Sequence, residues 1–125
     1  TVRAAEKAGV KRYVSVSAIG ASTGLSVRTM SDEMKDYYKQ KRAAGKHITE
    51  SELKWTIIEP GELTDGGGTG KVKLSEKAID EESIPREDVA AVVVACLEEP
   101  KTAGRVFQLT RGKTLIKTAI AKVIA

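Results

Sequence analysis

Ala4-Ala5-Glu6-Lys7-Ala8-Gly9-Val10-Lys11-Arg12-Tyr13-Val14-Ser15-Val16-Ser17-Ala18 carries the pattern that decides the fold. Val2 to Ala8 reads as the end of a helix, rich in alanine and charge, with Gly9 placed to close it as a left-handed cap. Arg12 to Ala18 is a short run of β-forming residues just beyond the cap, the spacing of an α-to-β connection. Chains seldom begin inside an element, so the sequence is expected to be a piece of a longer domain. A signal peptide is not expected at Thr1, and no apolar run approaches the roughly 20 residues that span a bilayer. A cytoplasmic protein without a membrane partner is the expectation.

Working outward, Gly20 to Thr29 is a small-residue loop, and Ser31 caps a long helix reaching about Glu52. Asp32 and Glu33 stand in its first turn, where the helix dipole favours carboxylates, and Gly45 weakens it locally. Trp55-Thr56-Ile57-Ile58-Glu59 is the next strand, broken by Pro60-Gly61. A loop from Glu62 ends in Gly66-Gly67-Gly68-Thr69-Gly70, and Lys71 to Leu74 alternates polar and apolar residues as a short half-exposed strand does. Ser83 is a plausible cap for a helix with Pro85, Glu87 and Asp88 in its first turn, running through Val89 to Leu97. That helix is apolar over most of its surface and belongs against a sheet. Arg105 to Thr110 is a final strand, and Thr114 to Ile124 gives one apolar helical stripe for core or dimer packing. The order α, β, α, β, short β, α, β, α implies an α/β fold of parallel strands joined by right-handed helical crossovers.

The 125 residues suffice for one domain, and a 4% aromatic share requires a core of Val, Ile, Leu and Ala. The net charge of +4 invites a nucleic-acid reading, but 17 acidic residues interleave with the basic ones. Even the densest basic group, Lys35, Lys39, Lys41, Arg42 and Lys46, has Asp32, Glu33 and Asp36 beside it. No nucleic-acid partner is expected. Cys96 is the single cysteine and His47 the single histidine, which excludes an intrachain disulfide, a cysteine zinc cluster and a multi-histidine metal site. Cys96 stands among valines and reads as a buried, inert thiol.

Four features bear on chemistry. Tyr37 and Lys41, four apart on the long helix, share a face. A neighbouring ammonium favours phenolate, so the pair could move a proton to or from a substrate oxygen. A solvated face accounts for the same spacing, and Tyr38 pairs equally well with Arg42. Ser15 and Ser17 end the first strand, where open α/β sheets bind ligands; a serine capping the loop is the equal alternative. Pro60-Gly61 closes the second strand at the corresponding end, shaping either a ligand's surroundings or simply a turn. Gly66 to Gly70 lacks the following helix that a phosphate loop needs, and Gly20 to Gly24 lacks a third glycine. Both read as loops.

Together, Ala4 to Val14 with Val16-Ser17, Tyr37-x-x-x-Lys41-Arg42, Trp55-Thr56-Ile57-Ile58-Glu59-Pro60-Gly61 and Ile84-Pro85-Arg86-Glu87-Asp88-Val89-Ala90 resemble the atypical short-chain dehydrogenases of the NAD(P)H-binding, NmrA-like group. Their order and spacing match that family's second half over nearly the whole chain. The resemblance implies residues 1–125 as the carboxyl-terminal half of a Rossmann-like, doubly wound parallel sheet that uses NADP or NAD. It implies Tyr37 as acid/base, Lys41 as its partner and a ribose contact, Ser17 as substrate-orienting, and Pro60 and Gly61 beside the nicotinamide. No metal is implied. Ala18 stands where the family often has a second serine, and relatives with altered sites act as sensors or regulators. The resemblance places the glycine-rich phosphate turn and the NAD-versus-NADP determinants in the absent half.

The expected function is therefore a share in an NAD(P)-dependent oxidoreductase-like protein acting on a small carbonyl or alcohol, the fragment itself being inactive. The alternative is a non-catalytic dinucleotide-sensing or protein-interaction module. With half the domain absent, the strand from Arg12 to Ala18 is expected to present an open apolar edge through which the fragment self-associates.

Overall fold

Ile57 and Ile58 are adjacent in sequence and buried in two different cores, because side chains alternate across a strand. Their strand therefore has both faces covered, the mark of a sheet sandwiched between helices. A computed structural model describes residues 1–19 and 32–125; the expected loop from Gly20, its Gly20–Gly24 stretch and the Ser31 cap lie outside the described residues.

Three strands run parallel: β1 (Tyr13–Val16), β2 (Trp55–Pro60) and β6 (Arg105–Arg111). They lie side by side with β4 (Lys71–Ser75) and β7 (Thr114–Leu115) in the order β1-β2-β6-β4-β7. β3 (Leu63–Thr64) and β5 (Ile84–Pro85) form a separate parallel pair. Helices α1 (Val2–Lys7) and α2 (Asp32–Thr49) supply Val2 and Ile48 to the core around Ile57. Helices α3 (Arg86–Glu98) and α4 (Ile116–Val123) supply Val89, Val92, Cys96, Ala119 and Ile120 to the core around Ile58 and Phe107. Each fully buried large apolar side chain there contributes roughly 1.5–3 kcal/mol.

Local chemistry explains the joints. Gly9 adopts φ 70, its N–H donates to Glu6 O and the Val10 N–H to Ala5 O, which completes a paired helix-end motif as the sequence predicts. The Lys71 segment is a strand, but it enters antiparallel to β6. No helix separates it from β2, and without a crossover the chain can only return in the opposite direction.

Two further expectations are corrected. Ser83 does not cap α3: Pro85 occupies the capping position without a side-chain bond, and the Ser83 hydroxyl instead accepts a hydrogen bond from Arg111. Leu115 does not belong to the final helical stripe: it lies in β7, is 60% exposed, and α4 begins after it.

Between β6 and β7 the chain steps across β4. Arg111 and Thr114 both pair with Val72, from opposite sides. Two strand spacings, about 9.6 Å, must be spanned in three residue steps, so the crossing is nearly extended. A Cβ on Gly112 would lie 2.3 Å from the Val72 carbonyl carbon, so only glycine passes this close.

Candidate functional site

Ser17 follows β1 directly, and its N–H donates to Ile58 O at 2.7 Å. The Ile19 N–H donates to Pro60 O at 3.0 Å, which ties the exit of β1 to the end of β2. Beside them a hollow of about 290 Å³ opens at the carboxyl ends of the parallel strands, lined by Ser17, Ala18, Tyr37, Tyr38, Pro60 and Gly61. Glu62 and Glu81 add two carboxylates to its wall. Four separate segments (the β1 exit, α2, the β2 exit and the stretch carrying Glu81) thus converge on one cavity.

Tyr37 is 43% exposed, and the Lys41 ammonium lies 5.7 Å from the centre of its ring in a cation–π contact. Spacing of four brings the pair together as expected. Lys41 itself is not among the hollow's lining residues. The rings of Tyr37 and Tyr38 meet edge to face at 5.3 Å. Burial pushes the Tyr38 phenol above its ordinary pKa, and the nearby Glu81 carboxylate and Tyr37 add to the shift. Tyr38 is accordingly held neutral as a hydrogen-bond donor at the cavity wall. Sequence reasoning treats Tyr38 only as a rival partner for Arg42 and does not single out Glu62 or Glu81.

Pro60 and Gly61 are both buried at this end, and the Gly61 N–H donates to Leu109 O at 3.0 Å. A Cβ on Gly61 would meet the Glu82 carbonyl oxygen at 1.9 Å. Glycine is required there so that the segment carrying Glu81 can close against the strand end. That packing demand operates alongside any ligand contact.

The glycine stretch is not the free loop the sequence suggests. Asp88, 2% exposed in the first turn of α3, accepts hydrogen bonds from Thr69 N (3.0 Å), Gly70 N (2.9 Å) and Thr69 Oγ1 (3.3 Å). Glu87 accepts from Gly68 N at 3.2 Å. The amides that in a phosphate loop would face an anion are satisfied by this chain's own carboxylates. The hollow, at the low end of the size of small-ligand pockets, has room for the reacting end of a dinucleotide and a small substrate. The amides of Gly68, Thr69 and Gly70 are already taken up by carboxylates of α3.

Away from this end, Arg12 is a hub that no local pattern in the sequence marks. Its guanidinium donates to Lys54 O (2.7 Å), Thr56 Oγ1 (3.0 Å), Thr102 Oγ1 (2.8 Å) and Cys96 O (3.2 Å). It thereby clasps the start of β2 to the last turn of α3. Cys96 is fully buried, and burial pushes its thiol up to about 11 against the opposing pull of Arg12. The inert-thiol reading is consistent with that environment.

A mostly parallel sheet, helices on both faces and a hollow at the strand tips define the doubly wound, Rossmann-like class of nucleotide-binding proteins. The chain belongs to the NAD(P)H-binding family, which it matches over residues 1–100. It is 39% identical over 122 residues to YhfK of Bacillus subtilis, described as an uncharacterized sugar epimerase; the match covers 98% of this chain and 55% of that protein. The oxidoreductase ylbE from Lactococcus lactis superimposes with a TM-score of 0.89 at 32% identity, covering 98% of this chain and 56% of that one. ChuY of Escherichia coli O157:H7, an anaerobillin reductase, gives 0.79 at 27% identity, covering 88% and 54%. The chain thus spans about half the length of the relatives it matches. Among the described residues, no helix is long and apolar enough to cross a membrane.

Proposed function

We propose that this chain supplies the proton-transfer side of the active site in a cytoplasmic NAD(P)-dependent oxidoreductase that acts on a small carbonyl or alcohol. The observation that carries the reading is the convergence of Ser17, Tyr37, Pro60 and Gly61 on one hollow at the sheet's carboxyl edge. NAD(P)H, when bound, supplies a hydride to the carbonyl carbon. The Tyr37 hydroxyl gives its proton to the carbonyl oxygen, completing the alcohol, and solvent returns the proton to the phenolate. Lys41, over the Tyr37 ring, stabilises that phenolate and contacts the nicotinamide ribose. Ser17 orients the substrate oxygen, and Pro60-Gly61 forms the wall beside the nicotinamide. In the intact protein Tyr37→Phe should lower kcat by about 10²–10⁴-fold with cofactor affinity kept; unchanged turnover refutes the role.

Ala18 in the lining, where the resemblance expects a second hydroxyl, supports a second reading as a dinucleotide-sensing or interaction module. Under that reading Tyr37→Phe leaves the intact protein's behaviour unchanged.

Two proposals concern the 125 residues alone. They are inactive, because they hold no recognisable pyrophosphate grip, the amides of Gly68, Thr69 and Gly70 being bound to Glu87 and Asp88; micromolar NADPH binding in a fluorescence titration would overturn this. They also pair with a second copy along β1, which bonds only to β2 among the described residues. Between the end of β1 and α3, Val16, Leu63, Val89, Val93 and Val94 line a mostly apolar hollow of about 430 Å³ that Arg86 also borders. A clean monomer in light scattering at high concentration refutes the pairing.

A further inference from the structure

A second hollow, of about 600 Å³, lies between β4, the crossing at Gly112 and α4. Four cationic residues line it, Lys73, Arg111, Lys113 and Lys122, against a single carboxylate, Glu82. The chain as a whole carries a net charge of +4, so three of its four excess positive charges gather around this one cavity. Elsewhere the basic residues alternate with acidic ones. Among the described residues, no carboxylate lies within ion-pair distance of Lys73, Lys113 or Lys122.

The near-extended crossing places Arg111 and Lys113 on either side of Gly112, where an added Cβ would lie 2.3–2.5 Å from the Val72–Lys73 peptide. Arg111 is further anchored through Nε to Ser83 O at 3.2 Å and through its Nη2 to the Ser83 hydroxyl. Like charges held together in a concave site repel one another and raise the local positive potential. A counter-charge from solution relieves that repulsion, and a concave site of this size favours a compact anion over an extended one.

We propose that this hollow binds a phosphate-sized oxyanion, either free or as the phosphoryl group of a small molecule. The site is separate from the Tyr37 hollow: Glu81 lines one and the next residue, Glu82, the other. The inference therefore stands independently of the hydride-transfer reading.

The test is a titration of the chain with inorganic phosphate and, in parallel, glycerol phosphate and a short DNA duplex, followed by calorimetry and by backbone amide resonances. Saturable phosphate binding at about 1 mM or tighter is expected, weakening with salt and moving the resonances of Gly112 and Lys113. Lys113→Ala and Lys122→Ala, both at exposed positions, should each weaken it about tenfold, and Lys39→Glu on α2 should leave it unchanged. Tighter binding of glycerol phosphate than of phosphate identifies a phosphorylated small molecule as the ligand, and equal binding identifies the free ion. Absence of saturation, equal loss in the Lys39 control, or a duplex that binds more tightly than both phosphates overturns the proposal.

Discussion

Replacing Arg12 by methionine keeps the length and apolar body of the side chain and removes four hydrogen bonds from a charged donor. Not all four acceptors are stranded. Cys96 O still receives the Thr102 hydroxyl at 3.0 Å, and Lys54 O still receives the Tyr13 N–H at 3.2 Å. Two bonds' worth of loss, at about 1.5–3 kcal/mol each for a charged donor, is the appropriate scale. Against it stands a gain: Arg12 Nε is buried without a partner among the described residues, and methionine removes that group. The balance is a destabilisation of about 2 kcal/mol. In urea, with a slope of about 2 kcal/mol/M, the unfolding midpoint falls by roughly 1 M with the slope unchanged. Arg12→Lys should recover only part of this, because an ammonium cannot reach the diverging acceptors that the planar fork spans. The hub lies at the Lys54–Thr56 end of β2, away from Pro60, so nicotinamide-cofactor affinity in the intact protein should not change. A methionine variant as stable as the parent, or a lysine variant that recovers everything, refutes the reasoning.

Other positions are equally open to measurement. Gly61→Ala drives a methyl into Glu82 O and should lower stability by at least about 1–3 kcal/mol while displacing Glu81 from the Tyr37 hollow; a thermal midpoint equal to the parent's rules this out. The Cys96 thiol has a folded pKa raised from 9.0 to about 11, so the unfolded form releases its proton first and stability falls between those two pH values, by roughly 2–3 kcal/mol. Below pH 9 this contribution is fully present. Cys96→Ala should flatten that segment of the pH–stability curve, and an identical slope in the variant counts against the assignment. Glu81→Gln removes one cause of the raised Tyr38 pKa, so tyrosinate absorbance should develop at lower pH, and the difference should vanish in a Tyr38→Phe background.

Positions at strand ends were legible in the sequence because one short pattern fixes both the strand and its exit. Ser17 and Pro60-Gly61 follow runs of β-forming residues, and in a parallel sheet every such exit is at the same edge. Tyr37 and Lys41 were legible from helical spacing alone. What escaped depends on partners far along the chain. The glycine stretch reads as free because its anchors, Glu87 and Asp88, lie 18 or 19 residues away on another element. Ser83 has the chemistry of a helix cap, yet Arg111 takes its hydroxyl, and nothing local to Ser83 announces that competition. Glu81 joins the site only because Gly61 lets the segment preceding β5 fold over the strand end. The direction of β4 was readable in principle, since no crossover helix lies between it and β2.

The bridge at Gly112 has a bearing on how the sheet is tied together. β4 ends up flanked on both sides by strands that follow it in sequence, joined by a two-residue link lying flat over its backbone. A single short strap thus ties three neighbouring strands at one point, so that any lengthening or shortening of the Gly112–Lys113 link would shift β6 and β7 together against β4.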